Sequence, residues 1–244
     1  MKILVAGYGF VGMAHALALE GGDIKTHIYD PALGYKEMLA NPDAVVVCVS
    51  TPMDEDGGCD MSNVYSVIED VPPDVPILIK STISLEGWRL MKRAYPKAKL
   101  TFSPEFLRAE HAMEDFKKQE FTYIGGGEAG FWAGILSMRL GTTVVTHDPE
   151  VLILTKYFRN SFLAAKVAFF NQMYDTCEAT GVDANEVLTY TALDDRIGTS
   201  HTKVTEERGY GGHCFPKDVS AILKTVEQLG GDLSILHEVK NYNK

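Results

Sequence analysis

Lys2–Ala6 is a short apolar run that passes directly into Gly7-Tyr8-Gly9-Phe10-Val11-Gly12 and then into a helical pattern reaching Leu19. A strand, a glycine turn and a helix in that order leave the chain few ways to fold. The first glycine permits the tight turn and the second lets backbone approach a pyrophosphate. The third lets helix pack on strand, and the helix N-terminus then faces the phosphates. The glycine spacing alone is weak evidence. Here a second strand, Lys25–Tyr29, ends in Asp30, at the distance at which a dinucleotide fold keeps its ribose-binding acid. An acid at that place repels the additional phosphate of NADP. NAD is therefore the expected cofactor, held by Gly7, Tyr8, Gly9, Phe10, Val11, Gly12 and Asp30.

The following segments continue the alternation of strand and helix. Ala44–Val49 is a continuous apolar run of the kind that a parallel sheet buries on both faces. Ser50, Thr51 and Pro52 follow it and should open on the cofactor. Asp54 to Ser62 reads as a loop, and a helix beginning with Val64 to Ile68 is closed by Pro72-Pro73. Val75–Lys80 is another strand, whose end places Ser81 and Thr82 on the ligand-binding edge of an open α/β sheet. Leu100–Ser103 leads into Pro104-Glu105-Phe106-Leu107-Arg108, and Tyr123–Gly127 reads as a later strand and turn. The expected fold class is α/β: a Rossmann-like, doubly wound parallel sheet over residues 1–149. From Glu150 the pattern becomes helical, and a helical central region over residues 150–244 is expected. It holds one long helix from Val151 to Glu178, a second from Asp183 to Leu193, a polar loop from Thr199 to Arg208, and a weakly helical end from Leu233. Lys156 and Asn160 lie four apart on the long helix and share a face.

Gly209-Tyr210-Gly211-Gly212-His213-Cys214-Phe215-Pro216-Lys217-Asp218 carries the chemistry. Pro216 suits the first turn of a helix, and Val219, Ile222, Leu223 and Val226 recur at helical spacing until Gly230-Gly231. Cys214 therefore lies at or just before a helix N-terminus. Unpaired N–H groups and the positive end of the helix dipole favour thiolate there, and Asp218 shares its helical face. The bland alternative is a small buried cysteine beside a tight turn.

Net charge is −10, with no run of lysine and arginine, so nothing marks a nucleic-acid or anionic-membrane surface. No apolar run approaches the roughly 20 residues of a bilayer span, and no signal-peptide pattern precedes the first strand. A cytoplasmic location is expected. Four cysteines, Cys48, Cys59, Cys177 and Cys214, stand far apart without metal-ligand spacing. Neither zinc nor a disulfide framework is indicated.

Taken together, these segments resemble the nucleotide-sugar dehydrogenases, the family of UDP-glucose 6-dehydrogenase and its GDP-mannose relatives. The resemblance rests on Gly7 to Gly12 with Asp30, Ser50-Thr51-Pro52, Asp56-Gly57 with Asp60 and Ser62, and Lys80-Ser81-Thr82. It continues through Pro104-Glu105-Phe106-Leu107, Lys156 with Asn160, Asp195-Arg196-Ile197-Gly198, and Gly211 to Asp218. It implies two successive NAD-dependent oxidations of a primary alcohol at the sugar's sixth carbon, through a thiohemiacetal and a thioester. By resemblance Cys214 is the nucleophile, and Lys156 and Asn160 stabilise oxyanions. Asp218 activates or positions water or the substrate hydroxyl, with Lys156 its expected partner. Glu105 is the base for thioester hydrolysis, and Thr82 hydrogen-bonds water or sugar. Ser50, Thr51, Pro52 and Thr82 would line the cofactor. Glu105, Phe106, Leu107, Arg108, Lys156, Asn160, Arg196 and Gly211 would line the substrate, Arg196 across a homodimer formed by the central helices. The bland alternatives are an exposed acid at Glu105, a helix cap at Thr82, a surface ion pair at Arg196 and a solvated lysine at Lys156.

Two departures from the family pattern stand out. A second acid expected four residues after Glu105 is replaced by Ala109, with Glu110 turned about 100° away on a helix. Family members also continue past the central helix into a further nucleotide-binding domain, whereas Lys244 ends this chain in what resembles that helix; the C-terminal UDP-binding domain is expected to be absent. Two other readings stay open: an NAD-binding module that needs a partner chain, and a single-step hydroxyacid dehydrogenase of the wider superfamily.

Overall fold

The computed structural model describes residues 1–108, 111–212 and 214–243, arranged as two compact units. The first comprises Met1–Pro52 and Cys59–Lys156; the second comprises Met53–Gly58 and Tyr157–Lys244.

The first unit is built on β1 (Lys2–Ala6), β2 (Lys25–Tyr29), β3 (Ala44–Val47), β4 (Pro76–Ile79), β5 (Lys99–Phe102), β6 (Phe121–Gly126) and β7 (Thr143–Thr146). They form one sheet in the order β2-β1-β3-β4-β5-β6-β7. Its helices are α1 (Phe10–Leu19), α2 (Ser62–Asp70), α3 (Leu85–Ala94), α4 (Ala112–Lys118) and α5 (Ala129–Leu140). All four residues of β3 are fully buried, as the continuous apolar run requires when both faces of a sheet are covered. Ile3, Val5, Val46 and Leu78 pack with Leu19, Trp132, Ile135 and Leu136 in one core. Each such side chain taken from water is worth roughly 1.5–3 kcal/mol.

The parallel sheet expected from the sequence is present with one exception: β6 runs antiparallel to β5, while the other pairings are parallel. A parallel return needs a crossover long enough to carry the chain back along the strand. Here the chain instead returns to the end at which β5 left the sheet, pairing Phe102 with Gly125 and Thr101 with Gly126. The register then fixes the working edge. Ala6 pairs with Tyr29 on one side and Val47 on the other, which brings the residues after β1, β2 and β3 to the same end of the sheet.

α6 (Pro149–Thr180) is one uninterrupted helix of 32 residues. The second unit adds α7 (Ala184–Ala192), α8 (Phe215–Gln228) and α9 (Ser234–Tyr242). α8 buries Val219, Ala221, Ile222 and Leu223, the helical repeat seen in the sequence. The loop before it is tied down by side chains. Arg208 adopts a left-handed backbone (φ +57°), costly for a residue with a Cβ, and is held by Asn171, by an ion pair with Asp175 and by stacking over Tyr174. Asn243 accepts the Tyr210 N–H at 2.6 Å and donates to the Tyr210 carbonyl at 2.8 Å. Among the described residues no helix is long and apolar enough to cross a membrane.

Candidate active site

The glycine turn of the first unit is shaped by what a side chain would meet. Gly7 has φ +86°, and a Cβ there would lie 2.5 Å from the Cys48 carbonyl oxygen. A Cβ on Gly12 would lie 1.9 Å from the Gly7 carbonyl oxygen, so α1 could not approach β1 as it does. A Cβ on Gly9 would meet nothing within 4 Å, and no side chain caps α1 at that residue. Backbone at Gly9 is thus open to a ligand at a helix N-terminus. Asp30 is fixed beside it: Oδ2 accepts the Tyr8 N–H at 2.7 Å and Oδ1 accepts the Leu33 N–H at 3.2 Å. Each oxygen keeps acceptor capacity for a ribose hydroxyl. These residues fit a dinucleotide. Phe10 and Val11 are half-buried on the first turn of α1. After β3, Thr51 is buried, Ser50 is exposed with its carbonyl accepting from Asn63, and the Pro52 carbonyl accepts the Asp60 N–H. Thr82 is half-buried, and its carbonyl accepts from the Cys59 thiol; the cap of α3 is Ser84, so Thr82 is not a helix cap.

The segment after β5 holds a buried charge cluster. Glu105 is 8 % exposed, in contrast to the exposed acid of the bland alternative. Its Oε1 accepts the Phe106 and Leu107 N–H groups at 2.8 and 3.2 Å, while Oε2 lies 3.2 Å from Lys80 Nζ and 4.0 Å from His15 Nε2. Burial raises the Glu105 carboxyl, but the Lys80 charge, with His15 and the backbone N–H, outweighs it and holds the group below its ordinary value. Lys156 is buried too, donating to the Glu105 carbonyl at 2.7 Å with Nζ 5.8 Å from the Phe106 ring centroid. It is not a solvated lysine. Leu107 is buried, whereas Arg108 is exposed and engaged by both oxygens of Asp115.

In the second unit Cys214 is the N-cap residue of α8, half-buried, with no side-chain cap bond and with Pro216 in the first turn. Its carbonyl accepts the Asp218 N–H at 2.8 Å. Asp218 is 1 % exposed; Oδ2 accepts from Asn160 Nδ2 at 2.6 Å and Oδ1 from Lys217 Nζ at 2.8 Å. Asn160 and Lys217 are thus hydrogen-bond partners of Asp218. Gly211 is exposed with open space around it. Arg196 is exposed and paired with Asp194 at 2.5 Å, the surface ion pair of the bland alternative. Ala109, Glu110 and His213 lie outside the described residues.

Sequence reasoning gave Lys80 no role and passed over His15. A lysine ending a strand otherwise buried on both faces, and a histidine four residues after Val11 within an apolar helix, are the signals that point to them.

Residues 25–133 match the NAD binding domain, and residues 152–244 the central domain, of the UDP-glucose/GDP-mannose dehydrogenase family. The chain belongs to that family. NAD is accordingly the cofactor of its glycine-turn unit. The UDP-glucose 6-dehydrogenase of Pseudomonas aeruginosa is 34 % identical over 228 residues, covering 85 % of this chain and 49 % of that enzyme. That of Rickettsia felis is 34 % identical over 244 residues, covering 93 % of this chain and 52 % of its own length. The chain spans about half the length of the curated relatives it matches. Among solved structures, a UDP-glucose dehydrogenase from Pyrobaculum islandicum superposes with a TM-score of 0.86 at 28 % identity, over 99 % of this chain and 67 % of that one.

Proposed function

We propose that the chain oxidises the C6 hydroxyl of a nucleotide sugar, UDP-glucose to UDP-glucuronate, in two NAD-dependent steps through a covalent adduct on Cys214. The observation that carries the reading is the thiol at an uncapped helix N-terminus with Asp218 buried one turn on. Bound NAD supplies the acceptor for the electron pair removed in each oxidation. Residues 1–149 would hold NAD, and residues 150–244 supply Lys156, Asn160 and Cys214. The Cys214 sulfur adds to the aldehyde carbon, giving a thiohemiacetal that retains the intermediate. Its oxidation gives a thioester. Water then adds to that carbon, the C–S bond breaks, the thiolate leaves and the sugar departs as a carboxylate. Lys156 and Asn160 are fixed donors for the oxyanions, the requirement for electrostatic stabilisation at developing charge. Glu105 takes the proton of the attacking water, Thr82 hydrogen-bonds water or sugar, and Asp218 holds Asn160 in place.

NADH formed per molecule of limiting UDP-glucose, with GDP-mannose in parallel, tests this. The expected result is two NADH per sugar from one of the two substrates. One NADH per substrate, with activity surviving loss of the thiol, would favour a single-step hydroxyacid dehydrogenase. No NADH with NAD still bound would favour a module that needs a partner chain.

The proposed assembly is a homodimer through α6. Phe158, Phe162 and Phe169 are 46, 68 and 61 % exposed and, with Ala165, recur at steps of four, three and four. That is the spacing of a helix-pairing seam. Phe162→Glu combined with Phe169→Glu is expected to convert a sedimenting dimer to monomer; an unchanged sedimentation coefficient would reject this interface.

A further inference from the structure

We propose that Lys80 is a positioning residue for Glu105: its ammonium keeps the buried carboxylate ionised and leaves Oε2 as the oxygen that takes up a proton. The inference rests on the reading of Glu105 as the base of the hydrolytic step, and deepens it.

The two carboxylate oxygens are not equivalent. Oε1 accepts two backbone N–H groups, from Phe106 and Leu107, and has little capacity left for a proton. Oε2 is buried, and its closest cation among the described residues is Lys80 Nζ, 3.2 Å away in ion-pair contact. A bare carboxylate oxygen inside the protein needs a nearby positive charge to stay ionised. His15 adds to it only where the ring is protonated, at acid pH. Its Nδ1 lies 2.9 Å from the Val11 carbonyl, which can only accept, so the ring proton is on Nδ1 and the neutral ring turns its Nε2 lone pair toward Oε2. Two lone pairs 4.0 Å apart form no bond. Burial, then Lys80, lower His15 to about 4 against the opposing pull of Glu105, so the ring stays neutral at neutral pH.

Lys80 is itself 3 % exposed and held in three directions. Nζ donates to Ser103 Oγ at 2.9 Å and to the Pro104 carbonyl at 3.3 Å, leaving its third direction for Glu105 Oε2. Its backbone N–H donates to the Val47 carbonyl. Lys80 and Ser103 each follow directly on neighbouring strands, β4 and β5, so the ammonium is placed by the sheet. A second cation, Lys156, donates to the Glu105 carbonyl at 2.7 Å and is common to every Lys80 variant; the remaining described groups near the pair carry no competing charge at neutral pH. Burial pushes the Cys48 thiol well above its ordinary value. Phe116 of α4 stacks edge-on against His15. The described charged residues of that segment pair at its surface: His111 and Lys118 with Glu114, and Asp115 with Arg108, while Lys117 is exposed. Lys80 and Glu105 therefore neutralise each other in a buried setting, the geometry that fixes one oxygen for proton uptake.

The test is a carboxyl-carbon NMR titration of the full chain labelled at glutamate, with the Glu105 signal identified by its loss in Glu105→Gln. Lys80→Met should raise the Glu105 midpoint by about 2 pH units or more, because desolvation is then unopposed by the ammonium. Lys80→Arg should restore most of the difference. A midpoint that moves by less than about half a unit in Lys80→Met would overturn the proposal. Should Lys80→Met fail to fold, Lys80→Met combined with Glu105→Gln should fold, since the buried pair is then uncharged on both sides. Failure of that double variant would show a structural role only and overturn the proposal as well. The titration reads the charge coupling without turnover. A chain that shows the coupling but forms no NADH would count against the proposed reaction in this chain alone, while the charge coupling of Lys80 with Glu105 would stand.

Discussion

Cys214→Ser is expected to reduce acid formation by at least about 10³-fold while the protein stays folded and still binds NAD. The separation of effects follows from where the residue sits. Cys214 occupies the N-cap of α8, and its side chain makes no cap hydrogen bond. The Cys214 backbone is helical (φ −95°, ψ −54°), not the extended form from which a side chain caps, so serine neither gains nor loses a cap bond and stability should be nearly unchanged. The glycine turn and Asp30 lie in the other compact unit, and NAD affinity should not move. What is lost is the nucleophile, because a serine hydroxyl at neutral pH has no population comparable to a thiolate. Parallel measurements of acid product, thermal melting and NAD affinity check the three expectations. If acid formation persists at near-normal rate, the covalent route is wrong and Cys214 is the small structural cysteine of the bland alternative.

The fold was legible where burial and periodicity agree. Ala44–Val47 could be read as a buried strand because every residue is apolar, and α6 as one helix because its apolar positions keep helical spacing over its length. β7 escaped notice: Thr143–Thr146 is all β-branched, as strands favour, but it is a four-residue edge strand with exposed ends, too short for alternation or a buried run to mark it. The reversal of β6 was equally hidden, since strand direction depends on the length and path of the connection, and not on the strand's own residues. For the site, local signals sufficed wherever one segment supplied the feature. The Gly7–Gly12 turn, Asp30 and the cap position of Cys214 are each set by residues close in sequence. Pairings between distant segments were not legible. Asn160 meets Asp218 across 58 positions, and Lys80 meets Ser103 across 23. Which buried polar group satisfies which is settled by packing, not by spacing along one helix.

Asp218→Ala is the substitution expected to cost most in stability. The side chain is 1 % exposed and is the acceptor for two donors, Asn160 Nδ2 at 2.6 Å and Lys217 Nζ at 2.8 Å. Truncation leaves the Asn160 amide, itself only 9 % exposed, without that acceptor and strips the partly buried Lys217 of its counter-charge. Breaking a buried pair by removing one member costs about 3–5 kcal/mol, larger than the cost of never having built it. For a chain of this size that corresponds to a fall of roughly 10 °C in Tm. Asp218→Asn keeps the shape and one acceptor oxygen, so its loss should be smaller, about 1–3 kcal/mol. Its effect on turnover should still be large, about 10²-fold, because a neutral amide oxygen holds the Asn160 oxyanion donor less firmly than a carboxylate does. Combining Asp218→Asn with Asn160→Ala gives the decisive comparison. If Asp218 acts by holding Asn160, the double variant should lose scarcely more stability than the worse single one, the signature of two residues sharing one interaction. Strictly additive losses would mean that the two groups act separately, and that Asp218 serves the reaction by a route other than fixing the oxyanion donor.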